Sequence, residues 1–295
     1  VELIGYSALH FIQVFRGKTF YSKKFWGYAV RFNLPLIPHY LSQTVLNSAD
    51  RIMINSMIGS DKAGIYSLAY SISLIMTLFN TALSQTLSPW LYQKIKDKKE
   101  TEIATLAYTT LLLIACVNLL LIGLAPEVVA IFAPESYYEA IWIIPPVAMS
   151  VYFMYSYDLF AKFAFYYEKT NFIMAASVIG AVLNIVLNYY FIPVFGYIAA
   201  GYTTLVCYIF YCVGHYFFMC KICDKFCDGV RPYEIKKILA ITIPFLAGGF
   251  LMLFTYNHIV VRYAVLAVAL MLIVVNRKKI IGAVKNILAV RNKRN

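Results

Sequence analysis

Residues 170–220 read TNFIMAASVIGAVLNIVLNYYFIPVFGYIAAGYTTLVCYIFYCVGHYFFMC and contain no aspartate, glutamate, lysine or arginine. The hydrocarbon core of a bilayer is about 30 Å thick and is crossed by ~20 residues of α-helix, so this stretch is too long for one helix. Its segment Phe191-Ile-Pro-Val-Phe-Gly196 combines proline and glycine, as turns do. The stretch therefore predicts two membrane-spanning helices joined by a short turn.

The composition of the whole chain agrees with a membrane location. The 295 residues are 61% hydrophobic and only 14% charged, with a mean hydropathy of +0.70. A soluble domain is about half apolar and about a quarter charged. We therefore predict an integral membrane protein and exclude disordered, collagenous and small disulfide-stabilised classes, as well as a soluble enzyme with one small anchor.

Charged residues divide the rest of the chain into further spans. With the two helices of 170–220, they give an all-α, polytopic bundle of eight spans. Residues 1–15 are apolar but too short to span, so we predict that they end a truncated transmembrane helix of a longer protein. The other six predicted spans lie at 31–50, 63–93, 103–126, 140–157, 238–261 and 263–276.

Lysine and arginine are concentrated in alternate loops. Of the 26 basic residues, 22 fall in the loops of one side and in the C-terminal tail, whereas the other side has only Lys62 and Arg262. The positive-inside rule places the basic side and the C-terminus in the cytoplasm. The net charge of +12 then reflects topology and attraction to anionic lipid, and nucleic acid is not an expected partner.

This topology gives the predicted organisation of the chain. The four parts are the end of a truncated helix with a cytoplasmic loop (1–24), a six-helix bundle (25–220), a cytoplasmic loop with two further helices (221–276), and a basic cytoplasmic tail (277–295).

The first full span, predicted as one helix over residues 25–58, carries a polar face. At 100° per residue, His39, Gln43, Asn47, Asp50 and Arg51 fall on one side. Charged groups inside a bilayer normally face protein or a water-filled cavity. The alternative for Asp50 and Arg51 is an ordinary position at the outer interface. Pro35 and Pro38 are expected to bend this helix, and its opposite, apolar side comprises Leu34, Leu41, Val45, Ala49 and Ile52.

Later spans repeat the polar spacing. Tyr66, Tyr70 and Asn80 belong to a stripe along the next helix, completed by Ser73, Thr77 and Ser84, whose alternative is hydrogen bonding between packed helices. Such packing is the favoured interpretation for Ser177, Ala181, Asn184 and Asn188 in a later span. Asp158 and Lys162 are four residues apart and predict an i, i+4 ion pair.

The sequence predicts no catalytic residues, no metal site and no cofactor. Cys220, Cys223 and Cys227 are expected in a cytoplasmic loop, where they have no fourth ligand nearby for a closed zinc site. Nucleotide-binding and metalloprotease motifs are absent from the sequence. No hydrophilic loop is long enough for a soluble catalytic domain, so we do not expect an enzyme.

Three segments in order resemble a known family: Phe32-Asn-Leu-Pro-Leu-Ile-Pro-His-Tyr40, Asn47-Ser-Ala-Asp-Arg-Ile-Met-Ile54, and Ala63-Gly-Ile-Tyr-Ser-Leu-Ala-Tyr70, with Gly59 between the last two. They resemble the second half of bacterial polysaccharide flippases of the Wzx type, in the multidrug/oligosaccharidyl-lipid/polysaccharide exporter superfamily. The match is specific over about residues 25–95. The resemblance implies the second six-helix bundle of a MATE-like fold, with two extra helices.

The resemblance also implies a function and a set of site residues. The expected activity is alternating-access transport of undecaprenyl-diphosphate-linked repeat units to the outer leaflet of the bacterial cytoplasmic membrane, for O-antigen, capsule or exopolysaccharide. Polysaccharide polymerase, assembly proteins and membrane lipids are the expected partners. Ion coupling would fall to His39, Asp50 or Asp158. For the diphosphate headgroup, Arg31, His39 and Arg51 are expected to form a series of cations along one helix. The candidate substrate-binding residues are Arg31, His39, Gln43, Asn47, Arg51, Tyr66, Tyr70 and Asn80.

Other functions stay open at this point. Within transporters, the alternatives are a lipid II-type flippase and a multidrug/cation antiporter. One alternative outside the transporters is a membrane polysaccharide polymerase or glycosyltransferase, although the 125–139 loop is short for the outer loop that such an enzyme needs. Another is a scaffold that recruits assembly partners through the basic tail.

Overall fold

The computed structural model describes residues 2–17, 21–275, 277, 278 and 282. These residues form α-helices and two short 3-10 helices, Glu100–Glu102 and Glu135–Trp142, and contain no β-strand. The α-helices are α1 (Glu2–Gly17), α2 (Lys23–Asn33), α3 (Leu36–Met57), α4 (Ser60–Lys96), α5 (Ile103–Gly123), α6 (Ala125–Phe132), α7 (Ile144–Tyr166), α8 (Thr170–Phe195), α9 (Ala199–Phe226), α10 (Ile235–Thr255) and α11 (Ile259–Val275).

The all-α membrane fold predicted from the sequence is confirmed. Among the described residues, five helices are long and apolar enough to cross a membrane, and a sixth counts if Glu135–Trp142 and α7, bent by 48°, form one broken span. Each of the eight predicted spans has a helix, although α11 is shorter and α3 carries many polar residues. Lys18 and most of the basic tail lie outside the described residues.

Several helices differ from the predicted boundaries: α10 ends at Thr255 rather than 261, and α11 begins at Ile259 rather than 263, so Arg262 lies within a helix. The span predicted to end at residue 157 continues as α7 to Tyr166, because Asp158 and Lys162 pair with each other at 2.9 Å and are tolerated within the helix. The predicted 125–139 loop contains α6 and the start of the following 3-10 helix. Charged residues therefore mark the limits of a span less strictly than expected when they are paired.

The helix predicted over residues 25–58 is two helices, α2 and α3, separated at Leu34 and Pro35. Proline has no backbone N–H, so neither Pro35 nor Pro38 can donate the helical bond to the carbonyl four residues earlier. No residue of α2 is buried. Arg31 therefore belongs to an exposed helix separate from the one that carries His39 and Arg51.

Helix α7 is the centre of the bundle. It contacts α4, α5, α9 and α10, while α8 lies between α3 and α9. Almost every residue from 144 to 164 is buried, including Tyr152, Tyr155, Phe160 and Phe163. The outward sides of α8 and α9 are apolar, with Val182, Val206, Phe210 and Phe217 exposed, as expected for helices that face lipid.

The cysteines predicted in a cytoplasmic loop are in fact buried. Cys220 and Cys223 lie in the last turns of α9, and Cys227 follows its end; all three belong to the main hydrophobic core. The loop after α9 therefore starts later than predicted, because small apolar thiols extend the buried side of the helix. Among the described residues, no group of three histidine, cysteine, aspartate or glutamate side chains could hold a metal ion.

The end of the bundle opposite the lysine-rich loops is joined by two ion pairs. Lys62, at the start of α4, lies 2.5 Å from Glu139, which also accepts a hydrogen bond from Tyr197. Arg262 of α11 pairs with Glu127 of α6 and is only 3% exposed. The two basic residues predicted on this side are therefore both neutralised within the bundle.

Glycine at position 180 sets the approach of α8 to α9. A Cβ atom there would lie 1.9 Å from Cε2 of Tyr211, so Gly180→Ala must displace the ring or separate the helices. We expect a loss of about 1–3 kcal/mol in stability, as for overpacked cores, measured by thermal denaturation in detergent. Gly214→Ala is the matched control, because nothing lies within 4 Å of its Cβ. Equal unfolding temperatures for the two variants would contradict this account.

Candidate functional site

Asp50 is the centre of a buried polar network that joins four helices. Its side chain, on α3, is only 1% exposed. One carboxylate oxygen, Oδ2, accepts hydrogen bonds from the Tyr66 hydroxyl of α4 at 2.5 Å and from the Thr204 hydroxyl of α9 at 2.7 Å. The other, Oδ1, accepts one from Nδ2 of Asn188 on α8 at 2.6 Å. Asp50 is therefore enclosed by protein on all sides.

A second layer of polar side chains orients these donors. The Thr203 hydroxyl donates to Oδ1 of Asn188. Nδ2 of Asn188 is also 3.3 Å from Oδ1 of Asn184, whose own Nδ2 is 3.4 Å from the Thr204 hydroxyl. Asn184 and Asn188, interpreted from the sequence as helix-packing residues, therefore belong to the Asp50 network. Their four-residue spacing places them on one side of a helix and is visible in the sequence, whereas no sequence pattern distinguishes Thr203 and Thr204.

The Asp50 carboxylate is not neutralised by a cation. Among the described residues, no lysine, arginine or histidine nitrogen lies within ion-pair distance of it. The neighbouring Arg51 donates to the backbone oxygen of Asn47 at 3.0 Å and lies 5.6 Å from the centre of the Tyr70 ring. A buried carboxylate is stable only when it is protonated, hydrogen-bonded or paired with a cation. The network supplies hydrogen bonds to the Asp50 carboxylate, but its residues carry no positive charge to neutralise it.

Four of the predicted site residues lie together around Arg51. The Tyr70 hydroxyl donates to Oδ1 of Asn47 at 3.0 Å, and the Tyr66 and Tyr70 rings are stacked with centres 5.9 Å apart. Arg51 is partly exposed. The arrangement places one guanidinium, an amide and two aromatic hydroxyls at the contact between α3 and α4.

His39 and Gln43 form a second polar group, in the half of α3 that is nearer the lysine-rich loops. Nδ1 of His39 is 2.5 Å from the Ser177 hydroxyl of α8, and Gln43 donates to the Tyr211 hydroxyl of α9 at 3.4 Å. Ser177 already donates its one hydrogen to the Ile173 carbonyl at 2.8 Å. We therefore assign the hydrogen between the two side chains to Nδ1 of His39, which leaves Nε2 as the imidazole's acceptor.

The structure separates the remaining predicted residues from these two groups. Asn80 donates to the Val151 carbonyl at 2.9 Å and so joins α4 to α7. Asp158 accepts hydrogen bonds from Ser84 at 2.6 Å and from Lys162 at 2.9 Å, which confirms the predicted ion pair. Arg31 lies on the exposed helix α2. The structure therefore does not form the continuous series of cations from Arg31 through His39 to Arg51 along one helix.

Comparison with known proteins identifies the family. The MatE family profile matches residues 35–190, more than half of the chain and a range that contains the whole Asp50 network except the two α9 threonines. The chain belongs to the MatE family. Members of this family are membrane transporters rather than enzymes, and the apolar helices of this chain indicate a multi-pass membrane protein.

Two curated relatives of this MatE protein align with part of their length. Lsg locus putative protein 1 of Haemophilus influenzae is 26% identical over 166 residues, which cover 54% of this chain and 40% of the relative. An uncharacterized membrane protein of Methanocaldococcus jannaschii is 28% identical over 183 residues, 60% of this chain and 42% of the relative. This MatE chain therefore spans about two fifths of these relatives.

A solved structure supports the same fold for this MatE protein. The MATE transporter VcmN of Vibrio cholerae, in its bent form, aligns with a TM-score of 0.52 at 15% identity, over 75% of this chain and 52% of that chain. A transporter of the same superfamily from Pyrococcus furiosus covers the same shares, with a TM-score of 0.48 at 19% identity. The first of these similarities supports the MATE-type arrangement of helices.

Proposed function

We propose that the chain is part of a transporter that moves undecaprenyl-diphosphate-linked oligosaccharides from the inner to the outer leaflet of the bacterial cytoplasmic membrane. The observation that carries the proposal is the Arg51 guanidinium beside Asn47 and Tyr70, which makes no ion pair within the part of the chain that the structure describes. An arginine guanidinium can donate two parallel hydrogen bonds to one phosphate group, and these bonds are strongest where water is excluded. The partly exposed Asn47 amide beside it can bind a sugar hydroxyl.

The exposed sides of α3 and α4 suit the wall of a transport pathway. Both present polar side chains among apolar ones: Thr44 and Asn55 are exposed on α3, and Ser71, Thr81 and Gln85 on α4, beside exposed apolar residues such as Ile52 and Leu78. The exposed side of α9, by contrast, is apolar at Val206, Phe210, Val213 and Phe217. Polar groups that face outward from a membrane bundle normally line protein or water rather than lipid. We infer that the substrate passes along α3 and α4.

Asp50 is the proposed coupling residue. A carboxylate that has three hydrogen-bond donors and no cationic partner among the described residues can take up a proton or a sodium ion, and this binding would change the contacts of four helices at once. Asp158 is a weaker candidate because it is already paired with Lys162. His39 is a weaker candidate because its Nδ1 is already hydrogen-bonded to Ser177. Alternating access could then use the occupancy of Asp50 to move α3 and α4 relative to α8 and α9.

A cation/drug antiporter is the second candidate. The observation that favours it is the same buried Asp50 carboxylate, since a cationic substrate could replace the coupling ion. The two candidates differ in the role of Arg51: it binds phosphate in the flippase, whereas it has no attractive role for a cationic drug.

The decisive experiment counts lipid-linked repeat units in the outer leaflet of cells that lack their own flippase. The protein should restore these units, and Arg51→Ala should lower their number about tenfold or more at equal abundance, as expected for the loss of a charge-assisted hydrogen bond. Arg51→Lys should recover part of the activity. Lys96→Ala is the control, since Lys96 is an exposed cation at the lysine-rich end.

Two results would contradict the proposal. If the repeat units stay in the inner leaflet with the intact protein, while drug efflux is restored, the antiporter is correct. If Arg51→Ala transports the units as well as the control variant, the phosphate does not pass Arg51.

A further inference from the structure

Helix α2 is amphipathic and contains no acidic residue. Its sequence, KKFWGYAVRFN, places Lys23, Lys24 and Arg31 within an arc of about 100°, at about 100° per residue. The arc from about 200° to about 340°, measured from Lys23, holds Phe25, Trp26, Ala29, Val30 and Asn33. The Asn33 amide, the one polar side chain in that arc, donates to the Ala29 carbonyl at 2.8 Å. One side of α2 is therefore cationic and another is apolar.

The length of α3 places α2 at a surface of the membrane. The 22 residues of α3 give about 33 Å of helix, which is enough to cross a hydrocarbon core about 30 Å thick without help from α2. The Tyr28 hydroxyl of α2 donates to Glu168 at 2.6 Å, and Glu168 lies in the turn between the end of α7 and the start of α8. Helix α2 therefore lies where these helices leave the membrane, at the lysine-rich end predicted to be cytoplasmic.

Contacts with the bundle show which way α2 is turned. Tyr28 bonds to Glu168 and Phe32 packs against the main hydrophobic core, so the bundle lies at about 160° on the same scale. For a helix that lies on a membrane beside the bundle, the directions to lipid and to water are each about 90° from that direction. The apolar arc is centred near about 270° and the three cations near about 60°. Both directions are thus occupied by the side chains that suit them.

The charge of α2 selects an anionic lipid surface. Lys23, Lys24 and Arg31 make no ion pair with any acidic side chain that the structure describes. Basic side chains at a membrane surface are attracted to anionic headgroups, and tryptophan favours the depth of those headgroups. Phe25 and Trp26 are 70% and 48% exposed. A bilayer surface supplies phosphate to the first set and carbon to the second, at the level where α2 lies.

We propose that α2 is an interfacial helix that binds anionic phospholipid at the lysine-rich surface of the membrane. Its apolar side lies among the upper parts of the acyl chains, and Lys23, Lys24 and Arg31 extend to the headgroup phosphates, with their hydrocarbon stems along the helix. This surface is separate from the groups around Asp50 and Arg51, and its role does not depend on what the transporter carries.

Photo-cross-linking tests the position of α2. The protein is purified into nanodiscs of phosphatidylcholine and phosphatidylglycerol in equal amounts, one lipid radiolabelled at a time, with p-benzoylphenylalanine in place of Trp26. The matched control carries the same replacement at Gly27, on the cationic side, where nothing lies within 4 Å of an added Cβ atom. We expect at least fivefold more lipid adduct at position 26 than at position 27. At position 26, we expect at least threefold more adduct with phosphatidylglycerol than with phosphatidylcholine.

Removal of the three cations tests the preference for anionic lipid. Lys23→Gln/Lys24→Gln/Arg31→Gln should bring the adducts with the two lipids to about equal amounts, because the charge that attracts phosphatidylglycerol is gone. Salt at about 1 M should have the same effect on the unaltered cations, since the Debye length falls to about 3 Å. The control Lys96→Gln/Lys98→Gln/Lys99→Gln removes three exposed cations at the same end and should keep the preference.

Two results would overturn the proposal. If position 26 cross-links to polypeptide instead of lipid, or gives no more lipid adduct than position 27, another part of the protein or a partner covers α2. If the two lipids give equal adduct at low salt before any cation is removed, α2 does not select anionic headgroups. Neither result bears on the count of repeat units in the outer leaflet, so the proposed function stands or fails separately.

Discussion

Asp50→Asn is expected to lower ion-coupled transport by at least tenfold while the protein still folds. The substitution keeps the size of the side chain but removes the charge that accepts bonds from Tyr66, Thr204 and Asn188. Hydrogen bonds to a charged group contribute about 1.5–3 kcal/mol, and 1.4 kcal/mol corresponds to a factor of ten. We therefore expect a loss on the order of 10- to 100-fold in the number of repeat units that reach the outer leaflet.

The measurement compares transport with and without a proton or sodium gradient. Asp61→Asn is the matched control because Asp61 is exposed at the start of α4. Tyr66→Phe removes one donor and retains the charge, so it should weaken transport less than Asp50→Asn and keep its dependence on the gradient. Full gradient-dependent transport by Asp50→Asn would exclude Asp50 as the coupling residue.

Glu127→Ala is expected to destabilise the protein more than Arg262→Met does. The Arg262 side chain is 4% exposed and the Glu127 side chain 29%. Removal of the glutamate therefore leaves a buried, unpaired cation, whereas removal of the arginine leaves a more exposed side chain that keeps its hydrogen bond from Tyr263. Breaking a buried ion pair costs about 3–5 kcal/mol. We expect a loss near that size for Glu127→Ala and about half of it or less for Arg262→Met.

The double variant Arg262→Met/Glu127→Gln provides the control. Since it removes both charges together, it should be more stable than Glu127→Ala, and thermal denaturation in detergent gives the comparison. Tyr263 also donates to Glu127, at 2.7 Å, so Tyr263→Phe measures the smaller contribution of the hydroxyl. If both single variants lose equal stability, the difference in burial does not control the energy of this pair.

The membrane fold was predictable because it depends on local composition. Uncharged stretches such as residues 170–220 and the alternation of lysine-rich loops predicted the helical elements, which the structure confirms. The boundary at Pro35 was partly predictable: a bend was expected, whereas the structure has two helices. Where charges pair within a helix, as Asp158 and Lys162 do, the rule that charges end a span fails.

The candidate site was predictable only in its α3 and α4 portions. Helical spacing brings His39, Gln43, Asn47 and Asp50 to one side of α3, and this spacing is visible in the sequence. The partners of Asp50 on α8 and α9 are 138 and 154 residues away. Their proximity follows from the packing of helices, which periodicity along one helix does not report. The sequence therefore identifies Asp50 as a candidate but does not identify the residues of α8 and α9 that donate hydrogen bonds to it.

The two prolines at the start of α3 also have a mechanical consequence. Pro35 leaves the Arg31 carbonyl without its helical donor, and the first turn of α3 is joined to α2 by the 3.3 Å bond from Ile37 to Leu34. The chain therefore bends more easily at this joint than it would within an uninterrupted helix. A tilt or rotation applied to α2 would be absorbed there, so the geometry around Asp50, four helical turns further on, is insulated from forces that enter the chain through the segment before α3.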